Sequence, residues 1–248
     1  EGFPNTKILV VFLFGVFLMR SAGCILNDII DKDFDKFVAR TQNRPLASDK
    51  LSSIEAFIVA ISLIFIAFLL VLTTNTLTVQ LSFVAIILAG TYPFLKRHTY
   101  LPQFFLGLTF GWSIPMAFAA TTNSIPKIAW LLLIANILWA VVYDTIYAMI
   151  DREDDLKIGI KSTAILFDDA DRFIIGIIQV LVLVALIIVG KQASLNIIYY
   201  FSIIFGGCLF LYQSYLIKDR EPKKCMQAFL NNNWFGLVLF IGLFINYL

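Results

Sequence analysis

The stretch NDIIDKDFD at residues 27–35 sets four carboxylates in eight positions. Asp28, Asp31 and Asp35 are spaced i, i+3, i+7, which on a helix of about 3.6 residues per turn is a single stripe; Asp33 falls off it. Like charges on one face repel, so a cation should compensate them. A second stretch, YDTIYAMIDREDD at 143–155, repeats the device with Asp144, Asp151 and Asp155 at i, i+7, i+11. Two stripes of carboxylates suit a hard divalent cation. Mg²⁺ takes oxygen ligands, keeps several waters, and is usually bound by one or two carboxylates together with a substrate phosphate. The single histidine, His98, and the scattered Cys24, Cys208 and Cys225 offer no zinc or copper ligand set and no disulfide framework.

Basic residues interleave with the stripes: Arg40 and Arg44 in RTQNRPLAS, Lys96 and Arg97 in YPFLKRHTYLPQ, Lys157 and Lys161 in DLKIGIKST. Any one of them is explained as an anchor to anionic lipid. As a group beside two aspartate stripes, they suit a substrate whose phosphates are bridged by metal and clamped by Arg and Lys.

The elements that must position these residues are membrane helices. Of 248 residues 60% are hydrophobic and 15% charged, with a mean hydropathy of +0.86, whereas a soluble domain carries about 25% charge. A bilayer span needs about 20 largely apolar residues. Eight such runs occur, at 7–29, 51–73, 77–95, 102–121, 126–150, 172–190, 195–217 and 228–248. Fifteen of the 19 Lys and Arg fall in or beside the connections after the odd-numbered runs, three on the opposite side, and Arg20 within the first run. That asymmetry puts both acidic stripes on the cytoplasmic side of a bacterial inner membrane, or on the matrix side of a mitochondrial one. The chain reads as one all-α polytopic domain over 1–248, with the segments 30–50, 96–101 and 151–171 on one membrane face. A net charge of +2 suggests no nucleic-acid partner, and no protein partner is inferred beyond the lipid bilayer. Within the spans, Gly107 and Gly111 form a GxxxG expected to pack helices closely, Pro115 is expected to kink the fourth helix, and Asn231, Asn232 and Asn233 read as interfacial.

NDxxDxxxD at 27–35, RTxxRPLAS at 40–48, YxxxK at 92–96 and YDTxYAMxDRxDDxxIGIKSTA at 143–164 resemble the UbiA family of intramembrane aromatic prenyltransferases, and within it the branch acting on 4-hydroxybenzoate. The resemblance runs along the whole chain in order. The family usually has nine spanning helices, the first acidic motif ending the second, so the chain is similar to a member lacking its first helix. The resemblance implies a polyprenyl diphosphate donor, a 4-hydroxybenzoate acceptor and Mg²⁺. It implies that Asn27, Asp28, Asp31 and Asp35 hold one metal and Asp151 and Asp155 another, and that Lys96, Arg97 and Lys161 bind diphosphate. It implies further that Tyr92, one turn before Lys96, orients it, and that Arg40 or Arg44 takes the acceptor carboxylate. Asp144 is a base or an orienting group, or else a partner of Arg20. Two other functions compete: the same chemistry on another aromatic or haem acceptor, and a divalent-cation transporter.

Overall fold

A computed structural model describes residues 5–37 and 41–248. Every regular element among them is helical, and eight helical segments are long and apolar enough to span a bilayer. The chain is an integral membrane protein. It divides into two compact units: one holds the described residues up to 98 together with 112–125, the other 99–111 and 126–248.

The first unit contains α1 (Thr6–Asp35), α2 (Ser53–Val71), α3 (Thr76–His98) and, after a break in the chain's path through it, α5 (Ser113–Thr122). Asn5 caps α1 by accepting from the amides of Lys7 and Ile8, and Ser52 with Glu55 forms a reciprocal capping box at α2. Buried positions on α1 and α2 are mostly small, Ala22, Ala56, Ala60 and Ala67, while Phe14, Phe17, Phe57 and Phe65 face outward. An apolar exterior over small-residue contacts is the pattern expected where lipid, not water, is the solvent.

The second unit contains α4 (Pro102–Gly111), α6 (Lys127–Ile158), α7 (Thr163–Phe167), α8 (Asp171–Gln192), α9 (Ile197–Leu216) and α10 (Pro222–Tyr247). Its core gathers on α6, where Val142, Ile146 and Met149 pack with Ile175, Ile217 and Cys225. Phe235 stacks on Phe210 with ring centroids 4.2 Å apart.

The eight predicted spans hold, with informative differences at their edges. The fourth is split: α4 ends at Gly111 and α5 begins at Ser113. Pro115 lacks an amide hydrogen and its ring would crowd the carbonyl four residues back, which is that of Gly111. The two acidic motifs, expected at helix ends or in connections, lie wholly on α1 and α6, each of which runs six to eight residues past its predicted limit. A further short helix, α7, sits inside the predicted 151–171 connection. The asparagines read as interfacial lie inside α10, because that helix starts at Pro222, a residue suited to a first turn. Asn232 is buried and accepts from Trp139 Nε1 at 2.9 Å, and Asn231 accepts from Gln213 at 3.1 Å.

The GxxxG packs as expected. A Cβ on Gly107 would lie 2.8 Å from Ala140 Cβ and from the Ile137 Cα, and Asn136 Nδ2 donates to the Gly107 carbonyl at 3.0 Å. At the end of the unit that carries the second acidic motif, a fully buried Asp171 joins three segments. Arg220 donates to it through Nε at 2.9 Å and Nη2 at 2.8 Å, and Arg152, next to Asp151, pairs with both Asp168 and Asp171. The hydrogen bond from Arg220 to Asp171 holds the guanidinium above its ordinary pKa, against the opposing effect of desolvation.

Three stability outcomes follow from this packing. Gly107→Ala should lower stability in detergent by about 1–3 kcal/mol, since backbone at Ile137 cannot yield cheaply. Gly15→Ala, where nothing lies within 4 Å, should leave the midpoint of thermal unfolding unchanged or raised. Asp171→Ala should cost about 1.5–3 kcal/mol through its charged hydrogen bonds, a value at the low end being expected because Arg220 stays partly exposed. The same thermal melts measure it, with Asp219→Ala, an exposed carboxylate on the same face, as the comparison.

Candidate active site

In the first unit the acidic stripe lies along the last two turns of α1. Asp31 is 2% exposed and Asp35 8%, Asp28 and Asn27 are half-buried, and Asp33 points outward. That is the distribution the spacing predicts. The compensating cations are also present. Arg44 Nη1 bridges two of the carboxylates, at 2.7 Å from Asp28 Oδ1 and 3.1 Å from Asp35 Oδ2. Lys96, from the end of α3, pairs with Asp31 Oδ2. Beside it, Arg97 Nη2 donates to the Ile30 carbonyl at 2.6 Å and its guanidinium lies 4.7 Å from the Phe34 ring centroid. Arg40, expected with Arg44, lies outside the described residues.

Arg44 is delivered by a strap of tight turns, residues 41–50. The Thr41 hydroxyl donates to the Asp35 carbonyl at 3.1 Å, closing the end of α1, and the Arg44 and Ser48 amides donate back to Thr41 and Arg44 carbonyls at 2.9 Å. At the far end of the strap, Asp49 adopts a left-handed conformation (φ 55°), which a short polar side chain tolerates. It pairs with Lys32 at 2.7 Å and Lys36 at 3.5 Å. A hydrogen bond from Lys32, and the charges of Lys32 and Lys36, hold its carboxyl below the usual carboxylate range. The strap thus grips α1 on both its acidic and its basic face. Between α1, the strap and α2 is a cavity of about 250 Å³ whose walls, Ile25, Leu46, Leu51 and Val59, are apolar apart from Asp28 and Glu55.

Two buried polar atoms of this stripe have no hydrogen-bond partner among the described residues: Asp31 Oδ1 and Arg97 Nε. The first is an acceptor and the second a donor. Buried polar groups are normally paired, so each is open to a ligand of opposite character. Among the described residues no three His, Cys, Asp or Glu side chains converge as a ready-made metal cage. The carboxylate donor set and the open Asp31 oxygen fit a hard cation that completes its shell with water and substrate oxygens. Tyr92 is half-buried on α3, one turn before Lys96.

In the second unit Asp144, Asp151 and Asp155 are half-buried along α6, and each takes part in polar interactions. Gly159 ends α6 in a left-handed turn (φ 75°). Lys161 follows two residues later, its ammonium 5.3 Å from the Tyr100 ring centroid. Ser162 then caps α7, accepting from the Ile165 amide at 3.3 Å. Residues that the sequence did not bring forward hold this turn. The Thr163 amide donates to Gln103 Oε1 at 3.0 Å, and the Thr163 and Thr145 hydroxyls are 2.6 Å apart. A glutamine within an apolar run was the one signal that marked Gln103.

The whole chain resembles proteins already characterised. The model of the "UbiA prenyltransferase family" matches residues 1–243. A 4-hydroxybenzoate octaprenyltransferase of Psychromonas ingrahamii is 53% identical over 248 residues, all of this chain and 86% of that protein. One from Enterobacter sp. (strain 638) is 56% identical over 246 residues, 99% of this chain and 85% of that protein. Among solved structures, the apo form of a UbiA homologue from Aeropyrum pernix K1 superposes with a TM-score of 0.90 at 23% identity, covering 100% of this chain and 92% of that one. A UbiA homologue from Archaeoglobus fulgidus bound to GPP and Mg²⁺ superposes at 0.72 and 15% identity, covering 96% and 88%. At these identities the two structures speak to the fold, and the family model and the close relatives to the lineage. The chain belongs to the UbiA prenyltransferase family.

Proposed function

We propose that this protein transfers a polyprenyl group from a polyprenyl diphosphate to the ring carbon ortho to the hydroxyl of 4-hydroxybenzoate, a step of ubiquinone biosynthesis. It does so as one functional domain in a bacterial inner membrane, with the acidic motifs facing the cytoplasm and Mg²⁺ as cofactor. The observation that carries this reading is the pair of open atoms, Asp31 Oδ1 and Arg97 Nε. One is completed by a cation and the other by an anion, and a metal diphosphate supplies both charges together. The shared name of the full-length relatives supports the acceptor.

The reaction requires the bond between the allylic carbon and the diphosphate oxygen to break, with both electrons leaving on the diphosphate. Lys96, Arg97 and Lys161 bind its oxygens, and Tyr92 orients Lys96 from one turn away. Fixed cations in a site sheltered from water stabilise the charge on the leaving group. Asn27, Asp28, Asp31 and Asp35 would hold one divalent cation and Asp151 and Asp155 a second. The chemistry they supply when bound is further neutralisation of that departing charge. The ring carbon attacks the allylic cation, and its proton is lost to Asp144 or to a base that Asp144 orients. The apolar helices keep water from quenching the cation, and the cavity beside Asp28 offers an apolar wall to the first isoprene units. Arg40 or Arg44 supplies the cation for the acceptor carboxylate, for which a planar guanidinium is suited.

Transfer of radiolabelled prenyl diphosphate by the purified protein in vesicles tests the reading. Turnover should vanish with a chelator and return with Mg²⁺. Asp31→Ala and Asp151→Ala should each abolish it while the protein still inserts and melts cooperatively. Near-normal turnover of Asp31→Ala at limiting Mg²⁺ would remove the first stripe from metal binding. For the acceptor, whichever of Arg40→Lys and Arg44→Lys removes the fork should raise the KM for 4-hydroxybenzoate and leave the donor KM nearly unchanged. If Arg44→Lys changes the Mg²⁺ dependence instead, Arg44 serves the acidic stripe it bridges and the carboxylate is bound elsewhere.

A further inference from the structure

The Lys161 turn is held from one short segment, residues 100–103, in two independent ways. A helix leaves its first amides without partners inside itself. For α7 one of these, the Thr163 amide, is satisfied by Gln103 Oε1 at 3.0 Å, from a side chain 4% exposed to a residue 0% exposed. Three residues before Gln103, the Tyr100 ring lies beneath the Lys161 ammonium at 5.3 Å. A third tie comes from α6. Thr145 Oγ1 donates its hydrogen to the Val141 carbonyl at 2.5 Å, so in the 2.6 Å pair of hydroxyls it is Thr163 that donates and Thr145 that accepts. The backbone two residues beyond Lys161 is therefore fixed by a buried amide and a buried hydroxyl, and the charged end of its side chain lies against an aromatic face. Lys has a compact charge on a flexible stem and loses much rotamer freedom when it binds. Fixing both ends of that stem beforehand reduces what binding has to order.

We infer that Gln103 and Tyr100 are positioning residues for Lys161, and that they act on use of the prenyl diphosphate donor through it. The inference rests on the reading that Lys161 binds the donor's diphosphate. Gln103 fixes the backbone from which Lys161 springs, and Tyr100 gives its ammonium an aromatic face to lie against.

The test compares the full-length protein in vesicles with its Gln103→Leu, Gln103→Glu, Tyr100→Leu, Lys161→Ala and Gln103→Leu/Lys161→Ala variants. It reads donor KM, acceptor KM and thermal midpoint, with a short-chain prenyl diphosphate as donor. Lys161→Ala should raise the donor KM by roughly tenfold or more, the range of a charge-assisted contact. Gln103→Leu should raise it by about tenfold, with the acceptor KM unchanged. Gln103→Glu, which keeps an acceptor oxygen for the Thr163 amide, should return most of that loss. The double variant should be no worse than Lys161→Ala alone, as expected of residues acting through one group. Tyr100 is exposed, so Tyr100→Leu should fold normally and raise the donor KM by about two- to fivefold, the range of an exposed cation–π contact. A donor KM unchanged in both Gln103→Leu and Tyr100→Leu overturns the inference, as does a double variant in which the two losses multiply. If Gln103→Leu does not fold, Tyr100→Leu alone decides by the same measure. An unchanged donor KM in Lys161→Ala instead overturns the diphosphate role of Lys161 itself.

Discussion

A carboxylate near the end of a membrane helix is costly unless a cation meets it, and α1 carries three on one face. Much of the first unit follows from that need. Arg44 spans Asp28 and Asp35, which requires the strap to fold back over α1. Lys96 meets Asp31, which requires α3 to bring its last turn beside the same stripe. Arg97 then falls against the Ile30 carbonyl and the Phe34 ring. Breaking a buried pair leaves an uncompensated charge, whereas completing it costs only geometry. The stripe therefore selects where its neighbours must end.

The pairing is incomplete in an instructive way. Cations take Asp28, Asp35 and one oxygen of Asp31, and leave the other oxygen of Asp31 open. A stripe designed only for stability would have closed it. In the second unit the turn that carries Lys161 is tied in place by Gln103, and Arg152, next to Asp151, pairs with Asp168 and Asp171. In both units the backbone around a charged side chain is tied by neutral groups, Thr41 in one and Gln103 with Thr163 in the other.

What was legible in the sequence depended on periodicity. The spans could be read because apolar runs of bilayer length have few alternatives, and the stripe because i, i+3, i+7 is a local relation. The burial of Asp31 and Asp35 and the exposure of Asp33 came with it. Relations between distant segments were not legible in the same way. Arg220 meets Asp171 across 49 residues, and nothing in either neighbourhood announces the other. The start of α10 was hidden because Lys223 and Lys224 look like a connection, although the helix begins at Pro222, ahead of its apolar run. The break between Gly111 and Ser113 lay three residues before its cause, since a proline acts on the carbonyl behind it.

The strap has a consequence for how α1 is set about its own axis. Between Thr6 and Leu26 the helix is apolar on most sides, with Leu13, Phe14, Val16 and Phe17 all exposed, so lipid gives it little reason to prefer one rotation over another. Arg44 and Asp49 hold two adjacent sides of its final turns, about a quarter-turn apart, each holding charges of the other sign. Turning α1 by one residue, about 100°, would in one sense bring lysines to Arg44 and in the other bring carboxylates to Asp49. Like a key with wards on both edges, the strap admits the helix at one azimuth, and so decides which of its faces is wet.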